Sequence, residues 1–282
     1  MKRRRAFPWI LALLGAALLL GSGYLLSLAL LPTPQIAVIR VEGDIWGSYT
    51  ASVSQALREA QDDPAVRAVV LDISSPGGEV TASEGLYFDI LKLRDRVPVV
   101  ASVNEMAASG AYYIASAAEQ IYSKPASMVG NIGVISFLPD PPVVEETLIT
   151  TGPFKRSGGT QVEYLRQMEL LKQTFLRAIL AQRSDRLKVG PETLSRGEIY
   201  LGLQARRLGL VDQIGSQTEA IAEAARLAKV RHYEMVDRTP ELPEELSLFG
   251  YSREGRSTAA SLAELPEQLP PGFYYRYVEP FK

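Results

Sequence analysis

The sequence predicts an α/β domain on a mainly parallel sheet, and three observations predict it. Runs rich in β-branched residues alternate with stretches of helical spacing. The run Val66-Arg-Ala-Val-Val-Leu-Asp-Ile73 is almost continuously apolar, as a strand covered on both faces must be. Glycine-bearing turns follow two predicted strands at the end where such sheets place their ligand sites.

The elements follow in order. Gln35–Glu42 reads as a strand from its Val and Ile content. Thr50–Ala60 has helical spacing, with Val53, Ala56 and Leu57 on one side. After the buried run, Ser74-Ser-Pro-Gly-Gly78 is read as its stop. Val80–Arg94 is a helix, Val97–Ser102 a strand, and Met106–Ala118 a helix of small residues. Ile132–Ile135 is a short strand and Val144–Thr150 a further candidate. Glu163–Arg186 is a long helix, and Leu203–Leu208 and Thr218–Ala228 are shorter ones. From Asp237 the pattern breaks at repeated prolines, so 237–282 is expected to be an irregular tail. Its aromatic run, Phe273-Tyr-Tyr-Arg-Tyr277, fits docking on a neighbouring subunit or membrane equally well as packing on its own domain.

The amino terminus carries a different signal. Lys2, Arg3, Arg4 and Arg5 precede a stretch from Trp9 to Leu31 without a formal charge. A bilayer core of about 30 Å needs roughly 20 helical residues, and this stretch is longer. Residues 1–31 are therefore read as a basic stub and one transmembrane helix, with the stub cytoplasmic and the rest extracytoplasmic at the cell membrane. A cleaved signal peptide would have a shorter apolar region. Pro32-Thr-Pro34 is a stiff spacer, and 35–236 is the folded domain.

Composition removes several chemistries. The chain has no cysteine, which excludes thiolate nucleophiles, disulfides and thiolate metal sites. Its one histidine, His232, would have to serve any Ser–His–Asp triad, and its context reads as a surface or strand position. A multi-histidine metal site is impossible, so no metal is expected. The net charge of −2 gives no reason to expect nucleic acid.

What remains is a serine with an unusual base. Ser109 lies among small residues before a predicted helix, where its hydroxyl can be exposed and the following N–H groups can face an oxyanion. A helix cap is an equal reading of that segment alone. Gly77 and Gly78 can present bare backbone to a substrate, although an ordinary Pro-Gly turn is the stronger reading in isolation. A lysine can replace histidine as base if burial and neighbours depress its pKa. Lys155 sits in a flexible segment between predicted elements, but local context does not select it.

Taken in order, these motifs resemble signal peptide peptidase A, a Ser–Lys serine peptidase family. The resemblance rests on Asp72-Ile-Ser-Ser-Pro-Gly-Gly78, Ala108-Ser-Gly-Ala-Tyr-Tyr-Ile-Ala115, Gly130-Asn-Ile-Gly-Val134, Gly152-Pro-Phe-Lys-Arg-Ser157, Gly197-Glu-Ile-Tyr200 and Ala205-Arg-Arg-Leu-Gly-Leu-Val-Asp212. It covers roughly residues 35 to 230 and implies a Clp/crotonase-like fold of repeated β-β-α or βα units. It implies Ser109 as nucleophile and Lys155 as general base. The oxyanion hole would use the N–H of Gly110 and that of Gly77 or Gly78. It also implies homo-oligomers with active sites shared between subunits, where the lysine can come from a neighbour. The family usually has serine in its Gly-Ser-Ile-Gly motif to hold the lysine; here Asn131 stands there, and its amide oxygen can accept the same hydrogen bond.

The expected function is a membrane-anchored endopeptidase that hydrolyses cleaved signal peptides or other apolar peptides, without a cofactor. The alternative is a catalytically weak peptide-binding or scaffold protein on the same fold. Acyl-CoA chemistry, as in crotonases, is a distant third, because fold does not fix function.

Overall fold

The computed structural model describes residues 7–30, 32–137, 151–155, 157–241 and 272–276. The chain runs α1 (Phe7–Leu30), β1 (Gln35–Ile45), α2 (Gly47–Asp62), β2 (Val66–Glu79), α3 (Val80–Arg94), β3 (Val99–Ala108), α4 (Gly110–Ser116), β4 (Gln120–Ser123), β5 (Met128–Gly130) and β6 (Ile135–Phe137). It continues with α5 (Gln161–Arg183), α6 (Pro191–Leu194), β7 (Ile199–Leu201), α7 (Gly202–Leu208), β8 (Gln213–Ile214), α8 (Gln217–Leu227), β9 (Glu234–Asp237) and β10 (Gly272–Arg276).

The strands form a single mixed sheet with a parallel centre. β2 pairs in parallel with β1 on one edge and with β3 on the other, and β4 extends β3 in parallel. β5 joins β3 in parallel and β7 antiparallel, while β10 is antiparallel to both β2 and β6. This mixed α/β architecture fits the expected Clp/crotonase-like fold.

Side-chain alternation explains the layers. Ile39, Val41, Val69, Leu71 and Ile73 point into the larger core, with α2, α3, α4 and α5. Ile36, Val38, Ala68, Val70 and Val100 point the other way, under Ala220, Ile221 and Ala224 of α8. A strand with apolar residues on both faces is thus covered on both, as its sequence demanded. The covering helices start where the sequence supplies acceptors. Thr160 caps α5 through the Glu163 N–H, and Ser216 and Glu219 form a capping box on α8.

Several boundaries differ from the sequence reading. Ser74–Gly78 does not end β2, which runs on to Glu79 with β1 alongside as far as Gly78. Met106–Ala108 belongs to β3, and the helix begins only at Gly110. Pairing to β5 holds these small residues extended. The short strands β4, β7, β8 and β9 carry too few residues to show a period. The candidate strand 144–150 lies outside the described residues. Of the two readings of the aromatic tail, packing on its own domain is what the structure shows, at β10.

Among the described residues no helix is long and apolar enough to cross a membrane. Residues 11–23 of α1 are exposed.

One buried carboxylate sets a pH dependence. Asp72 of β2 is 5% exposed and accepts hydrogen bonds from Asn104 Nδ2 at 2.7 Å and Gln217 Nε2 at 2.9 Å. Burial pushes its pKa up to about 6, with the Arg40 guanidinium opposing. The folded value lies above the unfolded one, so the fold binds this proton more tightly. Stability from this group is present at about pH 4 and is lost as pH rises through 6. We expect a loss on the order of 2 kcal/mol across that window. Denaturant unfolding of the full chain from pH 4 to 7 checks it: Asp72→Asn should flatten the slope, and an unchanged slope would clear Asp72 of responsibility.

Candidate active site

Ser109 occupies the single residue between β3 and α4, with φ 52° and ψ −120°. Few non-glycine residues adopt a positive φ, and such strain gathers at functional sites. The surroundings over-determine it. Its N–H donates to the Gly130 carbonyl at 2.7 Å, and its own carbonyl accepts the Tyr113 N–H at 2.9 Å. Its side chain makes no capping hydrogen bond, so the helix-cap reading fails. The residue is 1% exposed in this chain.

Gly77 and Gly110 are brought together at this point. A Cβ on Gly77 would lie 2.8 Å from the Gly110 nitrogen, so no other residue fits there. Gly77 also has φ 99°, the left-handed side that glycine alone adopts without strain. A Cβ on Gly110 would strike the Ser83 hydroxyl. The Gly77 N–H already donates to the buried Ser75 Oγ at 3.1 Å. Gly78 follows directly in the same strand.

Asn131 lies at the mouth of the next loop with φ 52°. Its N–H donates to the Glu198 carbonyl at 2.8 Å, and its side-chain Nδ2 to the Gly197 carbonyl at 2.8 Å. These bonds tie the β5 end to the turn before β7 and leave the side-chain oxygen as the acceptor. Among the described residues no hydrogen bond joins Lys155 to Ser109. Lys155 is exposed, in the turn 153–155, where its N–H donates to the Gly152 carbonyl at 3.2 Å. His232 is exposed in a bend after α8, away from these elements.

Sequence reasoning missed an aromatic cluster behind Ser109. Tyr113 of α4 packs on Tyr87 of α3 at 4.7 Å between ring centroids and on Phe175 of α5 at 4.8 Å. Tyr113 stands one helical turn after Ser109, and that spacing was the only available signal. A separate depression of about 340 Å³ is lined by Tyr122, Gln213, Ile214, Glu219 and Arg226. It shares no residue with the Ser109 site, and it contains no nucleophile–base pair.

The model of peptidase family S49 matches residues 92–231, and that of the NfeD1b N-terminal domain matches residues 35–138. A candidate protease of Synechocystis sp. is 31% identical over 208 residues, which covers 69% of this chain and 74% of that protein. The chain belongs to peptidase family S49. Protease 4 of Salmonella typhi is 31% identical over 245 residues, covering 81% of this chain but 38% of its own length. The S49 chain described here therefore spans well under half of that relative. The solved structure of a membrane-bound stomatin-specific protease, at 14% identity, has a TM-score of 0.54 and covers 76% of this chain and 100% of its own. At that identity it speaks for the fold alone. The resemblance to signal peptide peptidase A is upheld.

Proposed function

We propose that this S49 member is a membrane-anchored serine endopeptidase that cuts apolar peptides, cleaved signal peptides among them, through an acyl-enzyme on Ser109. The observation that carries the reading is the strained, positive-φ serine set against Gly77 and Gly110. The Ser109 hydroxyl attacks the substrate carbonyl carbon and gives its proton to Lys155. The oxyanion is held by the N–H of Gly110 and that of Gly78, because the Gly77 N–H is committed to Ser75. Lys155 passes the proton to the amine as the C–N bond breaks, and water then hydrolyses the ester.

Exposed Lys155 favours a base that acts in a neighbouring subunit of a homo-oligomer. Asn131, fixed through Gly197 and Glu198, would hold that lysine with its amide oxygen. The anchor reading rests on the sequence. The stretch from Trp9 to Leu31 carries no formal charge and follows the cluster Lys2–Arg5. A bilayer core of about 30 Å needs roughly 20 helical residues, and this stretch supplies them. An extracytoplasmic domain tethered near the membrane meets apolar peptides at raised local concentration.

Fluorophosphonate labelling and peptide turnover test the reading on the full chain in detergent. Wild type should label at Ser109, Ser109→Ala should not, and Lys155→Ala should lose at least about 100-fold in both signals. Mixing the two inactive variants during assembly should restore part of the turnover if serine and lysine come from different subunits. A folded wild type that binds peptides but neither labels nor turns over would replace the peptidase with the binding-protein reading.

A further inference from the structure

The parallel strands β1, β2, β3, β4 and β9 all start at one end of the sheet. Gln35 of β1 stands opposite Val66 of β2 and Glu234 of β9, and Val100 of β3 opposite Gln120 of β4. Ser109 follows the last residue of β3, at the other end. Between the two ends β2 runs from Val66 to Gly77, roughly 35 Å at about 3.3 Å per residue. The chain enters the sheet at its starting end. The Pro34 carbonyl accepts the Glu234 N–H at 2.9 Å, and the Gln35 N–H donates to the Ala65 carbonyl at 2.7 Å. Pro32 and Thr33 alone separate Pro34 from the uncharged stretch that ends at Leu31. Three residue steps span at most about 10 Å. The headgroup layer on either side of the hydrocarbon is itself about 6 Å deep. The anchor reading therefore brings the starting end of the sheet down onto the headgroups.

Most charges in the loops at that end cancel. Asp62 and Arg67 flank the start of β2, Asp95 and Arg96 form the turn before β3, and Asp63 meets Arg238 at 2.6 Å. The turn from α8 into β9 is different. Lys229, Arg231 and His232 are exposed there, against Glu234 as the acid that follows them. Among the described residues neither Lys229 nor Arg231 is in an ion pair. The turn is also held rigidly. Val230 and Tyr233 pack against the core under α8, and the N–H groups of Lys229 and Val230 donate to the Arg226 and Ala225 carbonyls at 3.1 and 3.0 Å. Lys229 holds φ 57°. Glycine is the usual residue where a helix ends in this conformation, and it would sit there without strain. The other non-glycine residues at positive φ among those described are Ser109 and Asn131, both at the candidate active site. Strain of this kind gathers at functional positions. The dipole of α8 does favour a cation at its last turn, but Arg226 already stands there, paired with Glu223. Met235, 64% exposed, adds an apolar side chain beside the turn.

We propose that the turn 229–233 is a docking surface for the anionic phospholipid headgroups of the membrane that holds residues 9–31, and that this contact stands the sheet upright with Ser109 facing away from the bilayer. This rests on the anchor reading of the amino terminus. A basic turn beside the point where the chain leaves the membrane meets the negative surface potential where it is strongest, within a Debye length of the headgroups. Ser109 then lies roughly 35 Å from the headgroups. It can reach only those segments of a substrate that extend well out of the membrane, and a bond inside the bilayer is beyond it.

The chain has no cysteine, so Met235→Cys carries a single fluorophore beside the turn. The full-length protein is reconstituted in vesicles of phosphatidylcholine and phosphatidylglycerol, with a trace of acceptor-labelled lipid of one kind or the other. Energy transfer should report a local density of phosphatidylglycerol at least about 3-fold above that of phosphatidylcholine, since each cation at an anionic surface is worth about 5-fold. Lys229→Gly with Arg231→Gln should bring that ratio close to one. The pair keeps the fold, because glycine accepts the backbone of position 229. Lys124→Gln removes a charge just after β4, at the opposite end of the sheet, and should leave the ratio as it was. A ratio of one in the unsubstituted turn, or a ratio that the double variant does not change, would overturn the docking surface. A label at Leu201→Cys, level with Met128 and Met106 at the Ser109 end, should transfer less to either lipid. Equal transfer from both labels would mean that the sheet lies flat, and the upright orientation would fall. Alkaline carbonate extraction separates these claims from the anchor. Protein that stays in the vesicles without an excess of phosphatidylglycerol keeps the anchor and sinks the docking surface. Protein that is stripped off, yet rebinds phosphatidylglycerol vesicles through Lys229 and Arg231, does the reverse.

Discussion

Ser109→Ala is expected to lower kcat/KM for peptide hydrolysis by about 10⁴-fold or more, and Ser109→Gly to do the same while making the protein more stable. The loss of rate follows from removal of the atom that forms the acyl bond; what remains is the contribution of binding and oxyanion donors. The gain in stability follows from the backbone. With φ 52° and ψ −120°, position 109 holds a conformation that costs a residue with a Cβ about 1–3 kcal/mol. Alanine keeps that Cβ and that strain. Glycine relieves it, offset in part by about 0.5–1 kcal/mol of extra freedom in the unfolded chain. We therefore expect Ser109→Gly to exceed Ser109→Ala by about 1 kcal/mol in denaturant unfolding, with both inert. A glycine variant less stable than the alanine variant would show that the turn is not strained, and the main physical argument for a poised nucleophile would go with it. The comparison needs no substrate, so it tests the geometry independently of what the protein cuts.

The strain also explains what could be read from the sequence and what could not. Continuous apolarity in Val66–Ile73 announced a doubly covered strand, and both core faces are there. The motif around Ser109 pointed to the right junction, because small residues on both sides of a serine leave room for a sharp turn. Its exact place was misjudged. Met106–Ala108 has helix-compatible composition, and only pairing to β5, a long-range contact, keeps it extended. In the same way Ser74–Gly78 looks like a stop, yet the two glycines are strand residues because backbone, not side chains, packs against them on every side. The tail strand was legible only as one of two equal readings, for a different reason. Gly272–Arg276 has strand-like aromatics, but its partners lie in β2 and β6, and no local pattern names a partner that distant. Lys155 is exposed in its turn, so the packing of this chain adds nothing to the local sequence context, which did not select it either.

Asp212→Ala is expected to cost about 3–5 kcal/mol of folding stability, enough to leave a typical domain only marginally folded. Arg183 is 0% exposed, and its guanidinium meets Asp212 through two parallel bonds, Nη2 to Oδ1 at 2.9 Å and Nη1 to Oδ2 at 3.1 Å. The same carboxylate accepts the Ile121 N–H at 2.7 Å and a bond from Arg186 Nη1 at 3.3 Å. Truncation of Asp212 strands a buried cation and a buried N–H together, whereas the Gly209 carbonyl satisfies only part of the guanidinium. Arg183→Met should cost less than Asp212→Ala, because it removes the buried charge and leaves Arg186 beside the carboxylate. The double variant should be more stable than the sum of the two losses predicts, by a coupling of about 1–3 kcal/mol. Strict additivity in denaturant unfolding would mean that the pair does not act as a unit. The clamp reaches Ser109 through α4, since the Tyr112 hydroxyl donates to the Leu210 carbonyl at 2.9 Å, two residues before Asp212. Tyr112 lies in the helix that begins directly after Ser109. A protein that keeps the Asp212 clamp thus holds the floor of α4 fixed, which is what a residue in a disfavoured backbone conformation at its start requires.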